Sequence, residues 1–541
     1  MQTVFKGNLG APNFPLVSSF EDQTVAVPQY DENSANQRFY QGSYVESDMD
    51  TPQVYYMHNV MPDSQGYKSI AYKRTIKAPV VPDNTFDQMF TVHDANENRA
   101  LLAHCTNGNF YIFVPGNASW KQIQIPGWTG GPITTAAANG NTYICLSKFG
   151  VYKVDITNEV LSVVNLAGMT MASIISICSA NNYLIVTDGT VVYWSNATNP
   201  EDFVPSLVTG AGSVTPNDLA GTIVGIFQLN NGFVVYTVAN IIAASFSGNI
   251  RYPWIFKSDS NSSGILNVKD VTNNVSLGEH YAWTAAGLLR VTGQGCTPEF
   301  GEVTDFLSGR IFEDYDDVAN TFSTQYLSTP LLVKPAYIGS RFLVISYGVT
   351  SYTHALVFDV ALKRWGKLRI DHVDCFEITI NNDGNGVPWT GLAGTSWSQL
   401  QGNAWQDLIT LTNSAPSAKR TLAFLQADGT VQTAIFDYGN FTSDACIIFG
   451  KYQLVRTNLC SLNAVSLENL DINNGNVNIA ILTTLDGKTY LTPPLVPTNE
   501  ITSAQVRKYN CRKTGLNHAL VITGAFHLVS IELTFAKHGR R

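Results

Sequence analysis

Three observations on the sequence predict an all-β fold: an irregular β-propeller of six or seven blades, with an additional β domain formed by the C-terminal region and the N-terminal arm. Charged residues make up only 14 % of the chain, whereas Gly, Asn, Ser, Thr and aromatics are plentiful, a composition suited to short strands and many turns. Short apolar runs repeatedly meet at Asn, Asp or Gly and return, which is the signature of a hairpin. The turn glycines Gly108, Gly150, Gly189 and Gly232 stand at intervals of 42, 39 and 43, close to the length of one four-stranded blade.

At 541 residues the chain exceeds one ordinary core, so two or three domains are expected. Residues 1–84 hold short apolar pieces between Pro, Gly, Asn and Asp, and read as an extended arm or platform segment lying over another domain or subunit. Residues 85–440 carry the hairpins. Residues 100–105 turn at Gly108, 143–146 near Gly150, and 183–186 at Asp188 and Gly189, while 223–229 turn at Asn230, Asn231 and Gly232. Looser units follow around Gly287, at 342–346 with 356–360, and at 422–436. Two insertions interrupt them: an acidic stretch at 302–322, read as one or two short helices, and a long polar loop at 381–418. After residue 440 the cadence changes, and 441–541 reads as a C-terminal β domain with closing strands at 477–482, 519–522 and 528–535.

The net charge of −9 argues against wrapping nucleic acid, which needs clustered Lys and Arg, and does not exclude DNA passing through an acidic channel, where repulsion prevents sticking. The eight cysteines lack C-x-x-C spacing and read as buried thiols. Neither a signal peptide nor a membrane-spanning apolar run is expected.

A propeller invites a glycosidase hypothesis, which requires two carboxylates across one bond. The densest acidic run is Glu313, Asp314, Asp316 and Asp317, and Asp305 lies nearby; such a run reads first as a solvated face. His104 and Cys105 alternate across a strand, and His372, Asp374 and Cys375 have no second ligand pair. Nucleophile-elbow, phosphate-loop and His-Glu-x-x-His patterns are missing, so no catalytic, metal or cofactor site is expected. His280, His354, His518 and His527 lie singly in apolar strands, and Trp194, Trp283 and Trp365 read as seals between blades rather than sugar platforms.

A strand running into Trp194, Ser195 and Asn196, followed by Asn199, Pro200, Glu201, Asp202 and Phe203, resembles a recurrent segment in tail proteins of short-tailed bacteriophages. The run from Asn59 to Pro62 and from Gly66 to Ile70 looks like the N-terminal region of the same family. Arg512 to Gly515, His518, Val521 to Gly524, Gly539 and Arg540 look like its final hairpin. The chain is thus similar to the podophage tail nozzle family, also called tail tubular protein B or packaged-DNA stabilisation protein. The resemblance implies a non-enzymatic virion protein without cofactor, assembled in the host bacterial cytoplasm. It implies a homo-hexamer ring below the tail adaptor, with tail fibres or spikes outside and double-stranded DNA passing without sequence recognition or membrane insertion. Two alternatives stay open: a carbohydrate-processing propeller using Asp305, Glu313 or Asp316, and a monomeric receptor-binding protein using loops such as residues 391–405.

Overall fold

The computed structural model describes residues 2–8, 54–76, 85–381 and 418–537, except 64–65, 97, 115–119, 260–261, 275–277, 310, 317–320, 340, 436–443, 453–458, 470–476, 485–489, 492–499, 502–506 and 516. Six four-stranded antiparallel sheets, together with the first four strands of a ten-stranded sheet, make seven blades. Their innermost strands are Phe86–His93, Ile133–Ala138, Ser176–Ala180, Ile223–Leu229, Val271–Asn274, Leu332–Ile338 and Asp374–Asn381, for blades 1 to 7 in that order. From blade 2 to blade 7 each innermost strand neighbours the next, that of blade 7 returns to blade 1, and that of blade 1 meets the second strand of blade 2, Asn141–Leu146, so the ring is closed.

Blade 7 is closed by chain from the other end of the sequence. Its strands Asp374–Asn381, Ala418–Leu425 and Val431–Ile435 accept Ala71–Ile76 as the fourth, with Ala434 opposite Tyr72 and Ile435 opposite Ala71. The propeller therefore uses residues on both sides of position 84.

Packing explains why the strands read as nearly continuous apolar runs. No single core exists; instead each blade buries both faces against its neighbours, and one hydrophobic cluster fills each of the seven interfaces. Tyr183–Thr187, for example, is buried at every position. Asn residues serve the tight turns. Ala138 pairs Asn141 across Asn139 and Gly140, and Ala180 pairs Tyr183 across Asn181 and Asn182; all four turn residues have positive φ, as the favoured two-residue hairpin demands.

The glycine period needs a correction. Gly108, Gly150 and Gly189 mark the turn between second and third strands of blades 1 to 3, but Gly232 begins the second strand of blade 4. An excursion at residues 195–211, between the third and fourth strands of blade 3, lengthens that repeat and brings a different turn to the expected spacing. A second correction concerns 302–322. Helix Gly301–Ser308 occupies its start, but Ile311–Asp316 and Thr321–Tyr326 form an antiparallel hairpin, their aromatic and β-branched residues favouring strand. The insertion at 381–418 lies, beyond its first and last residues, outside the described ones.

A β-sandwich completes the molecule. One layer continues the sheet of blade 6: beyond Arg364–His372 come Val60–Pro62, Tyr67–Ser69, His527–Lys537, Cys460–Asn469 and Arg507–Gly515, with Gln2–Asn8 also paired to His527–Lys537. The facing layer holds Val54–His58, Cys446–Tyr452, Asn517–Gly524 and Val477–Thr484. Met57, Val60, Phe449, Val465, Leu520 and Leu533 are among the residues filling the space between. Arg364, 2 % exposed, fastens the arm to blade 6 by donating to the carbonyls of Gly66 and Asp63, with its guanidinium over the Tyr67 ring.

Candidate functional site: the propeller axis and the family-like segments

A cavity of about 500 Å³ runs along the axis, lined by residues from the innermost strands of all seven blades and by the turn before blade 5. Gln88, Phe90, Gln228, Tyr337, Asp374 and Glu377 are among its walls. Inward side chains stitch adjacent blades together. Thr134 of blade 2 accepts the backbone N–H of Ile177 in blade 3 at 2.9 Å, and Ser176 of blade 3 accepts that of Ile226 in blade 4 at 3.1 Å. Between blades 4 and 5, His280 Nε2 donates to the Gln228 carbonyl (2.6 Å), while its Nδ1 accepts from Tyr236 Oη (2.9 Å).

The charged residues lie near the starts of these strands. Lys334 of blade 6 donates to Asp374 Oδ1 of blade 7 at 2.6 Å, and both are buried. The other carboxylate oxygen of Asp374 accepts the N–H of Met89 in blade 1 at 2.8 Å. One carboxylate thus joins three consecutive blades across the ring closure. Burial opposes the Lys334 charge, yet the adjacent Asp374 outweighs it and holds the ammonium pKa above the ordinary lysine range. A second pair crosses the axis. Lys269, in the short 3₁₀ turn before blade 5, reaches Asp87 of blade 1 at 3.0 Å, and His104 Nδ1 donates to the same carboxylate at 2.6 Å. Blades 1 and 5 are not neighbours, so this link spans the opening. Burial pushes the Asp87 pKa up, but His104 and Lys269 together bring it below the usual carboxylate range.

The sequence-derived candidates separate accordingly. His372 donates from Nδ1 to the Ile370 carbonyl (2.8 Å) and accepts from Ser346 Oγ at Nε2 (2.7 Å), both within blade 6, while Asp374 is engaged with Lys334 across blades 6 and 7. Among the described residues no group of three His, Cys, Asp or Glu could hold a metal ion. All eight cysteines are free thiols, and six of them are buried. Asp305 sits exposed on the helix, and Glu313 and Asp316 are on the hairpin strand. Residues 391–405 lie outside the described residues. Trp194 and Trp365 are buried, Trp283 is half-buried, and all three pack into interblade clusters.

The family-like segment of blade 3 folds as a chain of side-chain-closed turns. Trp194 Nε1 donates to the Gly210 carbonyl (2.7 Å), and Ser195, fully buried, accepts the Leu184 N–H at Oγ (2.9 Å). Asn199 Oδ1 accepts from Glu201 N, buried Pro200 lies between them, and Asp202 Oδ1 accepts from Val204 N, local bonds that favour turns over strand. Phe203 then buries its ring between blades 2 and 3, and its N–H returns to the Ala167 carbonyl at 2.9 Å. This segment fastens a loop of blade 3 onto the connection from blade 2. At the other end, buried Gly515 closes its strand opposite Cys460, and Gly524, with φ +103, ends Asn517–Gly524 in a conformation that favours glycine. Gly539 and Arg540 lie outside the described residues.

Two buried histidines predict a pH response. Burial lowers both His280 and His372 to about 4, so the folded chain stays unprotonated where the unfolded chain, near 6.5, takes up protons. Their contribution to stability is complete above about pH 6.5 and is lost as pH falls toward 4. Urea midpoints measured from pH 7 to 4 should fall progressively, and His280→Gln should flatten the slope; identical slopes for the variant and parent would refute the assignment.

These features define the class: a seven-bladed β-propeller with an axial cavity crossed by an ion pair, fused through one blade to a β-sandwich. No family model and no curated protein matches the sequence. Among solved structures the chain is similar to U3-55K (TM-score 0.36, 6 % identity, 56 % of this chain and 88 % of that one). It is likewise similar to the RRP9 WD40 repeats (0.34, 7 %, 57 % and 89 %) and to YCF48 bound to D1 peptide (0.33, 9 %, 55 % and 83 %). At such low TM-scores these likenesses carry no argument about function, and the architecture stands on the chain's own sheet order. Among the described residues no helix is long and apolar enough to cross a membrane.

Proposed function

We propose that this chain is the structural subunit of a short-tailed phage nozzle: six copies form a ring that continues the DNA channel below the tail adaptor, retains packaged DNA and anchors fibres or spikes. The observation that carries the reading is where the family-like segments fall. Those near the two ends of the chain meet in one sandwich, where Ser69 N donates to the Phe526 carbonyl at 2.9 Å, Ser69 Oγ exchanges bonds with Phe526, and Tyr67 pairs Leu528. The segment at 194–203 fastens blade 3 to the blade 2 connection. The described parts of the resembled motifs thus sit at structural joints, as expected of a scaffold subunit. A cavity of about 500 Å³ is the size of a small-molecule pocket, and Lys269 with Asp87 crosses it, so duplex DNA would pass between subunits and not through a propeller.

Electron-microscopy class averages of the purified chain mixed with its adaptor ring test this reading. Six-lobed rings with a central channel are expected. Single propellers that never join the adaptor would overturn it, and glycan turnover or cell binding by the isolated chain would then favour the enzymatic or receptor-binding alternative.

A further inference from the structure

Of the strands that pair on one side only with another described strand, two carry the most charge, and it is of opposite sign. Arg507–Gly515 ends the ten-stranded sheet, bonded on one side to Cys460–Asn469; it contains Arg507, Lys508, Arg512 and Lys513 and no carboxylate, on a chain of net charge −9. Ile311–Asp316 pairs only with Thr321–Tyr326 in a two-stranded sheet, and it contains Glu313, Asp314 and Asp316 and no Lys or Arg. A two-stranded hairpin is marginal alone and gains from a third strand. We propose that the acidic hairpin strand of one copy adds to the basic sandwich edge of a second copy of this chain, by main-chain hydrogen bonding with charge complementarity.

Charge on an edge strand commonly serves to prevent pairing. Here it does so selectively. Basic edge against basic edge repels, as does acidic against acidic, so two-fold contacts through like edges are disfavoured. Acidic against basic is the combination left, and it joins unlike surfaces of successive copies, the head-to-tail arrangement that closes into rings. A register shift opposite Leu462 and Ala464, with Arg512 at φ +48, breaks the ladder beyond Asn510; residues 507–510 are the regular stretch available to an added strand. The inference rests on the ring reading only for closure of the assembly; the pairing itself is a property of the isolated chain.

Charge reversal in the full-length chain tests it. Glu313→Lys with Asp314→Lys, and separately Arg507→Glu with Lys508→Glu, should each weaken self-association about tenfold or more in sedimentation velocity over a concentration series. Mixing the two variants, or combining all four changes in one chain, should restore it, because lysine edges then meet glutamate edges. Thermal melts matching the parent show that each variant folds. Unweakened association of both reversed variants, or no rescue on mixing, would overturn the proposal. So would a parent chain that is monomeric at every concentration, and that result leaves adaptor-dependent ring formation standing.

Discussion

Replacing Asp374 by Ala is expected to cost about 3–5 kcal/mol, because it strands the buried Lys334 ammonium without a partner. The loss goes beyond one pair. Asp374 also accepts the N–H groups of Met89 and Cys375, so the substitution leaves buried donors at the junction of blades 7 and 1. Urea unfolding followed by circular dichroism measures the effect, and two companions decide its origin. Asp374→Asn keeps an acceptor but removes the charge, and should fall between parent and Ala. Lys334→Met with Asp374→Leu removes both charges and should recover much of the loss, since an apolar pair of similar size can replace a buried ion pair. Stability of the Ala variant within error of the parent would refute the account. Because the Lys334 pKa is raised in the folded chain, its contribution is complete below about pH 10 and is lost only as pH rises through the folded value.

The second large effect concerns the N-terminal strands. Removing residues 1–76 should abolish soluble, folded protein. The deletion takes Ala71–Ile76 from blade 7, exposing the edge of Val431–Ile435, and it takes Val54–His58, Val60–Pro62 and Tyr67–Ser69 from the sandwich. Among the buried groups lost are Met57, Val60 and Tyr67 from the sandwich core, and Met61 and Ile70 from the interface of blades 6 and 7. Deleting residues 1–40 removes just one described strand, Gln2–Asn8, and should leave the propeller's melting transition in place while impairing ring assembly. A soluble fragment starting at residue 77 with a cooperative parent-like melt would refute the closure, and normal rings from the shorter deletion would separate the arm from assembly.

Local chemistry made the propeller legible. Hairpin turns depend on residues that accept positive φ, and Asn-Gly or Asp-Gly between apolar runs reports them directly; the turns at Gly108 and Gly189 fall where the sequence places them, while the turn before Gly150 takes its positive φ at Lys148. Blade count was less legible, since the excursion at 195–211 shifts the spacing without altering the architecture. The dense acidic run at 302–322 suggests one or two short helices, of which Gly301–Ser308 is one, and obscures the strand residues of the hairpin at 311–326. The axial contacts carried no local signal at all. Asp374 and Met89 are 285 positions apart, and nothing near either residue announces the other.

What the sequence determined by itself is therefore the all-β class, the hairpin cadence and the free, mostly buried cysteines, because each depends on residues within a few positions of one another. Tertiary structure decided the rest. It closed the seventh blade with Ala71–Ile76, built one sandwich from both ends of the chain, and set Lys269 across the axis to Asp87. The physical reason is that an open sheet edge or a buried charge can be satisfied by any complementary group the folded chain brings near. Which group arrives depends on ring closure and not on sequence distance.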